Sequence, residues 1–204
     1  MTDKGYLGNQ NLKGKNAQIE FDSNMVKEYL KCAKDPIYFS EAHIKIVHVD
    51  HGLIPIRLYD YQKDIIEEIT NNRRVAVNTS RQAGKTTTAA AVILHYVLFN
   101  EYKTVALLAN KGDAAREILD RIKIAYEALP KWMQQGVVEW NKGSVEFENG
   151  CKIIAAATSS SGIRGKSISF LYIDETAFVE NWENFFASVF PTISSGDTTK
   201  ILFT

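Results

Sequence analysis

The chain predicts an α/β fold in which a central, mainly parallel sheet is flanked by helices. Three observations carry that prediction. From Arg74 onward, apolar strand-like runs alternate with helical patterns. One run, Arg74 to Asn78, reads as a buried strand. It stops at Thr79-Ser80-Arg81-Gln82-Ala83-Gly84-Lys85-Thr86 and leads into a helix from Thr87 to Phe99. Strand, turn through Gly-Lys-Thr, then helix is the frame of a phosphate-binding loop. A later run, Phe170 to Ile173, is apolar at every position, as in a strand covered on both faces, and ends on Asp174-Glu175.

The elements follow in order. Residues 1–20 form an N-terminal arm expected to be mobile, because Met1 to Gln18 is rich in Gly, Asn and Lys. Residues 21–56 read as a helical segment packed on the core. Ser23 is expected to cap a helix to about Lys34, with Met25, Val26, Tyr29 and Leu30 on one side. Asp35-Pro36 ends it. A second amphipathic stretch runs from Ile37 to about Val47, and Gly52 to Pro55 reads as a loop.

Residues 57–204 form the core domain. Tyr59 to Thr70 is a helix, with Tyr61, Ile65, Ile66 and Ile69 at helical spacing. Thr104 to Ala109 is a strand. Lys111 to Ala128 is a helix whose stripe of Ala115, Ile118, Leu119, Ile122 and Tyr126 suits packing on a sheet. Ser144 to Glu148 alternates, Asn149-Gly150 is a turn signal, and Cys151 to Ala155 returns. This is a hairpin expected at a sheet edge. Thr158 to Gly165 is a loop. In the helix Trp182 to Phe190, the spacing of Trp182, Phe185, Phe186 and Phe190 marks core packing rather than a base-stacking platform. Lys200 to Thr204 is a last apolar run. The sequence stops inside it, so a further domain downstream is expected.

Composition narrows the classes. The 204 residues are enough for one substantial core, and 45% apolar with 24% charged residues is ordinary for a globular protein. A formal net charge of zero gives the whole chain no general attraction to nucleic acid or membrane. Two cysteines, Cys32 and Cys151, are too few for a disulfide framework. No signal peptide is visible, and no apolar run is long enough to span a bilayer. His43, His48 and His51 lie near one another in sequence, but no Cys pair or carboxylate at ligand spacing accompanies them, so no zinc site is expected.

The chemistry rests on two motifs. Backbone N–H groups of Ser80, Arg81, Gln82, Ala83, Gly84, Lys85, Thr86 and Thr87 would face the phosphates of ATP, favoured by the helix dipole. Lys85 reaches the β and γ phosphates, and Thr86 holds Mg²⁺. Thr79 stands where the usual pattern has Gly, so on its own Gly84-Lys85-Thr86 also fits an ordinary helix start. Asp174 suits the Mg²⁺ shell and Glu175 the polarising of an attacking water.

Together with Asp35-Pro36-Ile37-Tyr38-Phe39, Leu58-Tyr59-Asp60-Tyr61-Gln62, Ser80-Arg81-Gln82 and Arg164-Gly165, these motifs resemble the ATPase domain of large terminase subunits. These are the DNA-packaging motors of tailed bacteriophages. The resemblance implies a P-loop NTPase fold of the ASCE type, and it accounts for Thr79, since members often carry Ser-Arg-Gln without the first Gly. It implies adenine recognition by Gln62 beside Tyr59 and Tyr61, an arginine finger in cis at Arg81, and a coupling motif starting at Thr204. Arg164 would sense phosphate, contact DNA or reach a neighbouring subunit. The implied cofactors are ATP and Mg²⁺. The implied partners are double-stranded DNA, the portal protein of the procapsid, a small terminase subunit and a homo-oligomeric ring on the portal, with no membrane. The implied location is the host-cell cytoplasm, docked transiently on the viral procapsid. Other readings are a helicase-type ATPase, disfavoured because Thr176-Ala177 follows the acids, a nucleotide kinase, and a non-catalytic ATP-binding module.

Overall fold

The computed structural model describes residues 4–158, 163, 165–179, 182–194 and 196–204. Seven strands share one sheet: β3 (Arg74–Ala76), β4 (Thr104–Ala109), β5 (Val137–Trp140), β6 (Ser144–Phe147), β7 (Lys152–Ala157), β8 (Phe170–Ile173) and β9 (Lys200–Phe203). Their spatial order is β3-β9-β8-β4-β7-β6-β5. The first five of these are parallel neighbours, and β6 and β5 add on antiparallel. All four residues of β8 are buried, as are Val105 to Ala109 of β4. A strand with neighbours on both sides and helices on both faces has no wet face, which is why these runs are apolar throughout.

Alternation along the strands divides the core in two. Val105, Leu107, Phe170 and Tyr172 face a large cluster that includes residues of α3 (Asp60–Asn71), α4 (Lys85–Leu98) and α5 (Gly112–Glu127). Ala106, Leu108, Leu171 and Ile173 face a smaller cluster with Phe185, Val189 and Ile193 of α6 (Trp182–Ser194). The expected stripe on α5 is buried at every named position. Trp182, Phe185 and Phe190 pack into or against the second cluster, as their spacing predicted.

The N-terminal segment differs from expectation in several places. Helix α1 spans Ser23–Lys34, but its cap is Asp22, whose carboxylate accepts from the N–H groups of Asn24 and Met25. Val26 and Leu30 are exposed, and the buried residue is Cys32. Helix α2 covers only Pro36–His43, capped by Asp35. The rest of the expected second stretch is strand: β1 (Lys45–His48) pairs antiparallel with β2 (Gly52–Pro55), where a loop was expected. Four-residue strands that pair only with each other carry too little alternation to be read from sequence.

The expected arm is packed from Leu12 onward. Leu12 is 1% exposed, the Lys13 N–H donates to Gln134 Oε1 at 2.8 Å, and Lys13 pairs with Glu148 at 2.9 Å. One anchoring leucine in a polar stretch has no periodicity to reveal it. Two sheet margins also differ. The hairpin of β6 and β7 turns at Asn149-Gly150, but β5, not anticipated as a strand, lies outside it and forms the edge. The strand before the phosphate loop was expected to be buried over Arg74 to Asn78. It is β3, shorter, at the opposite margin, with only Val75 half-buried.

Candidate functional site

Three elements bring the predicted residues together. The loop after β3 turns at Gln82 (φ 62°) and Gly84 (φ 73°), both left-handed. A side chain at Gly84 would be strained by this backbone, and its Cβ would push aside the Gln62 side-chain nitrogen, 2.5 Å away. Thr79 is not among the residues with positive φ. The conformational reason for a first glycine does not apply to this loop, and a β-branched residue fits.

The Lys85 ammonium folds across the loop and donates to the carbonyls of Thr79 and Ser80, both at 3.0 Å. With three protons it keeps one donor for a ligand. The Thr79 hydroxyl oxygen is buried and has no hydrogen-bond partner among the described residues. From behind, α3 holds the loop: Tyr61 Oη donates to the Ala83 carbonyl at 2.9 Å and Gln62 Nε2 to the same oxygen at 3.3 Å. Gln62 Oε1 accepts from the Tyr59 N–H at 3.0 Å, satisfying a backbone donor at the start of α3. Both polar atoms of Gln62 are therefore engaged within the protein.

Strand β8 delivers the acids. The Asp174 N–H donates to the Leu108 carbonyl at 2.8 Å, continuing the β4 ladder one step past the strand. Asp174 Oδ1 accepts from Thr204 Oγ1 at 2.8 Å and Tyr172 Oη at 3.1 Å. Thr86 lines the same cavity as Asp174. Burial and the adjacent Asp174 carboxylate push the Tyr172 phenol well above its ordinary value, so it stays protonated. One buried hydroxyl thus braces Asp174, one of the two expected metal ligands. Glu175 leaves the strand in a left-handed conformation (φ 51°, ψ 47°), opens a single 3-10 turn over Thr176–Phe178, and is exposed. Both acids line one cavity, although the backbone turns sharply between them.

A cavity of about 700 Å³ lies between loop and acids. Arg81, Gln82, Ala83, Gly84, Lys85, Thr86 and Thr87 wall one side; Asp174, Glu175, Phe178 and Thr204 wall the other. Ser80, Tyr61 and Gln62 do not line it, and Arg164 lies outside the described residues. Sequence reasoning missed Tyr172, whose phenol was hidden inside an apolar run, and Arg121 of α5, which also lines the cavity.

The histidines separate. His48 and His51 stack at 4.8 Å, whereas His43 Nε2 lies 2.8 Å from Glu28 Oε1. Glu28, Cys32 and His43 converge, although no such partner was evident at ligand spacing in the sequence. Glu28 already accepts from Tyr38 Oη at 2.9 Å and from the Cys32 thiol, which burial pushes up to about 12. This is a hydrogen-bonded knot joining α1 to α2.

A phosphate-type loop entering α4, set beside a central parallel strand that ends in two carboxylates, defines a P-loop NTPase-like α/β domain. Solved structures agree on that fold. The large terminase of bacteriophage HK97 superposes with a TM-score of 0.71 at 18% identity, covering 84% of this chain and 37% of its own. A variant ATPase domain of the Thermus phage P74-26 large terminase gives 0.61 at 19% identity, covering 72% and 65%. The large terminase of a thermophilic bacteriophage, in complex with ATP-gamma-S, gives 0.56 at 14% identity, covering 72% and 37%. The chain thus spans little more than a third of the HK97 protein's length. Residues 77–204 match the family described as "Terminase large subunit, T4likevirus-type, N-terminal". The chain belongs to that large terminase family.

Proposed function

We propose that this chain is an ATP-hydrolysing motor domain that couples Mg-ATP hydrolysis to translocation of double-stranded DNA into a procapsid. The observation that carries the reading is the shared cavity: the loop from Arg81 to Thr87 and the pair Asp174-Glu175 wall one space. Family membership supports a packaging role. Neighbours titled as an ATPase domain, or as complexes with ATP-gamma-S and ADP, support nucleotide chemistry.

In this reading the triphosphate lies along the start of α4, its γ end toward the acids. Lys85 turns its remaining donor to the β and γ oxygens. Arg81, paired with none of the described residues, meets the charge that grows on the γ-phosphoryl group. Glu175 orients a water for in-line attack and accepts its proton. The oxygen-only pair Thr86 and Asp174 suits Mg²⁺, which would neutralise charge on the triphosphate. For Gln62 to read adenine, its amide must exchange one of its two internal bonds.

The wider assembly belongs to the same proposal: a homo-oligomeric ring on the portal protein, a small terminase subunit, residence in the host cytoplasm, and a further domain in the parent protein. The first test is phosphate release from Mg-ATP with no added phosphoryl acceptor, with and without double-stranded DNA. Release stimulated by DNA supports a motor. Release only on adding an acceptor would move the assignment to a kinase, and binding without turnover would move it to an assembly module.

A further inference from the structure

We infer that Glu28, Cys32 and His43 form a zinc-binding site that staples α1 to α2. Glu28 and Cys32 stand four residues apart on α1, so they lie one above the other on one face of that helix. His43, the last residue of α2, brings its ring to the same point. A thiol sulfur, an imidazole nitrogen and a carboxylate oxygen thus all come within 4.8 Å of one another. His48 and His51, stacked on the β1–β2 hairpin, take no part. None of the three ligands lines the phosphate cavity.

Spacing and donor chemistry both suit the ion. A tetrahedral zinc with ordinary bond lengths holds nitrogen and oxygen ligands about 3.3 Å apart, and sulfur and oxygen ligands about 3.5 Å apart. Here His43 Nε2 lies 2.8 Å and Cys32 Sγ 3.7 Å from Glu28 Oε1. The hydrogen bonds of the knot therefore already set nearly the separations that coordination requires. Thiolate and imidazole favour zinc over Mg²⁺, which prefers oxygen ligands. A thiolate and a carboxylate together offset the double charge of the ion. On binding, the Cys32 thiol releases its proton to water and a Zn–S bond takes the place of S–H. His43 coordinates as the neutral ring. Tyr38 Oη, 2.9 and 3.1 Å from the two Glu28 oxygens, orients that ligand from outside. Cys32 is buried, but the Glu28 and His43 side chains are 30% and 15% exposed, so the ion and a water as fourth ligand have a way in. His95 Nε2 lies 2.9 Å from the Cys32 carbonyl, so an ion here also fixes α1 against α4, the helix that follows the phosphate loop.

The test is titration of the metal-stripped chain with Co²⁺ and then Zn²⁺, in the unaltered protein and in Cys32→Ser, His43→Gln and Cys151→Ser. Cobalt should raise a thiolate-to-metal charge-transfer band in the near ultraviolet, and zinc should erase it. Cys151→Ser should keep the band and Cys32→Ser should lose it. His43→Gln should weaken cobalt binding by about 100-fold or more. Zinc at about 100 times its Kd should raise the Tm of the unaltered protein by about 5 to 10 °C. No band in the unaltered protein would overturn the inference and leave the cluster a hydrogen-bonded knot. So would a band that survives in Cys32→Ser, or unchanged affinity in His43→Gln. The unaltered protein and His43→Gln decide the matter even where Cys32→Ser does not fold.

Discussion

The phosphate loop and the acidic strand end face each other across one cavity, yet they are built in opposite ways. The loop hangs from a three-residue margin strand, and its bonds are local: Lys85 to its own carbonyls, Tyr61 and Gln62 to Ala83. The acids follow four buried residues in the middle of the sheet, and Asp174 is tied to β4 through Leu108 and to the end of β9 through Thr204. Moving Asp174 means shearing packed strands; moving the loop means exchanging a handful of hydrogen bonds. Rearrangement on nucleotide arrival therefore belongs to the loop, with the acids as the fixed reference.

That contrast can be broken or sharpened by substitution. Lys85→Ala should act most strongly: weakened triphosphate binding and no measurable turnover. Normal turnover would remove the loop from the chemistry altogether. Arg81→Ala comes next, with single-turnover rates expected to fall by about 10³ to 10⁵, the range found for arginine fingers, and affinity much less affected. Should affinity fall as far as rate, Arg81 is a ground-state phosphate contact.

Glu175→Gln should slow hydrolysis by about 10² to 10⁴ while ATP still binds, as expected on losing a general base. A folded variant that failed to bind ATP would erase the division of labour between loop and acids. Smallest is Tyr172→Phe. Thr204 still donates to Asp174, so the cost should be about 1 kcal/mol in urea unfolding, the net worth of one hydrogen bond. The same variant should need more Mg²⁺ for half-maximal turnover, because Asp174 loses one of its two hydroxyl donors. Equal Mg²⁺ dependence would deny the phenol any part in placing Asp174.

Long elements with strong periodicity were legible in the sequence. The α5 stripe from Ala115 to Tyr126 and the apolar β8 run are so constrained by packing on a sheet that residue type alone gave them away. The residues that wall the candidate cavity were legible where backbone and chemistry agree, from Arg81 to Thr87 and at Asp174-Glu175. What escaped depends on partners far away in the chain. Nothing in Val137-Val138-Glu139-Trp140 tells that β6 will pair with it at the margin. Nothing in Lys45 to Pro55 separates a four-residue hairpin from an amphipathic turn. Tyr172 reads as one more core aromatic until Thr204, 32 residues away from it in sequence, arrives at its hydroxyl beside Asp174. Gln62 shows the reverse problem: a residue singled out for ligand contact is, in the fold, a bracket for the loop.

The packing of the N-terminal stretch has a practical side. Gly14 forms a parallel bridge with Val137, whose N–H donates to the Lys13 carbonyl at 2.9 Å, so the stretch covers the start of the outer margin of β5. A version shortened to begin at α1 would leave that margin bare, a template on which other copies can add strands and precipitate. Anyone preparing this domain for biochemistry should keep residues 5–20, however dispensable their composition makes them look.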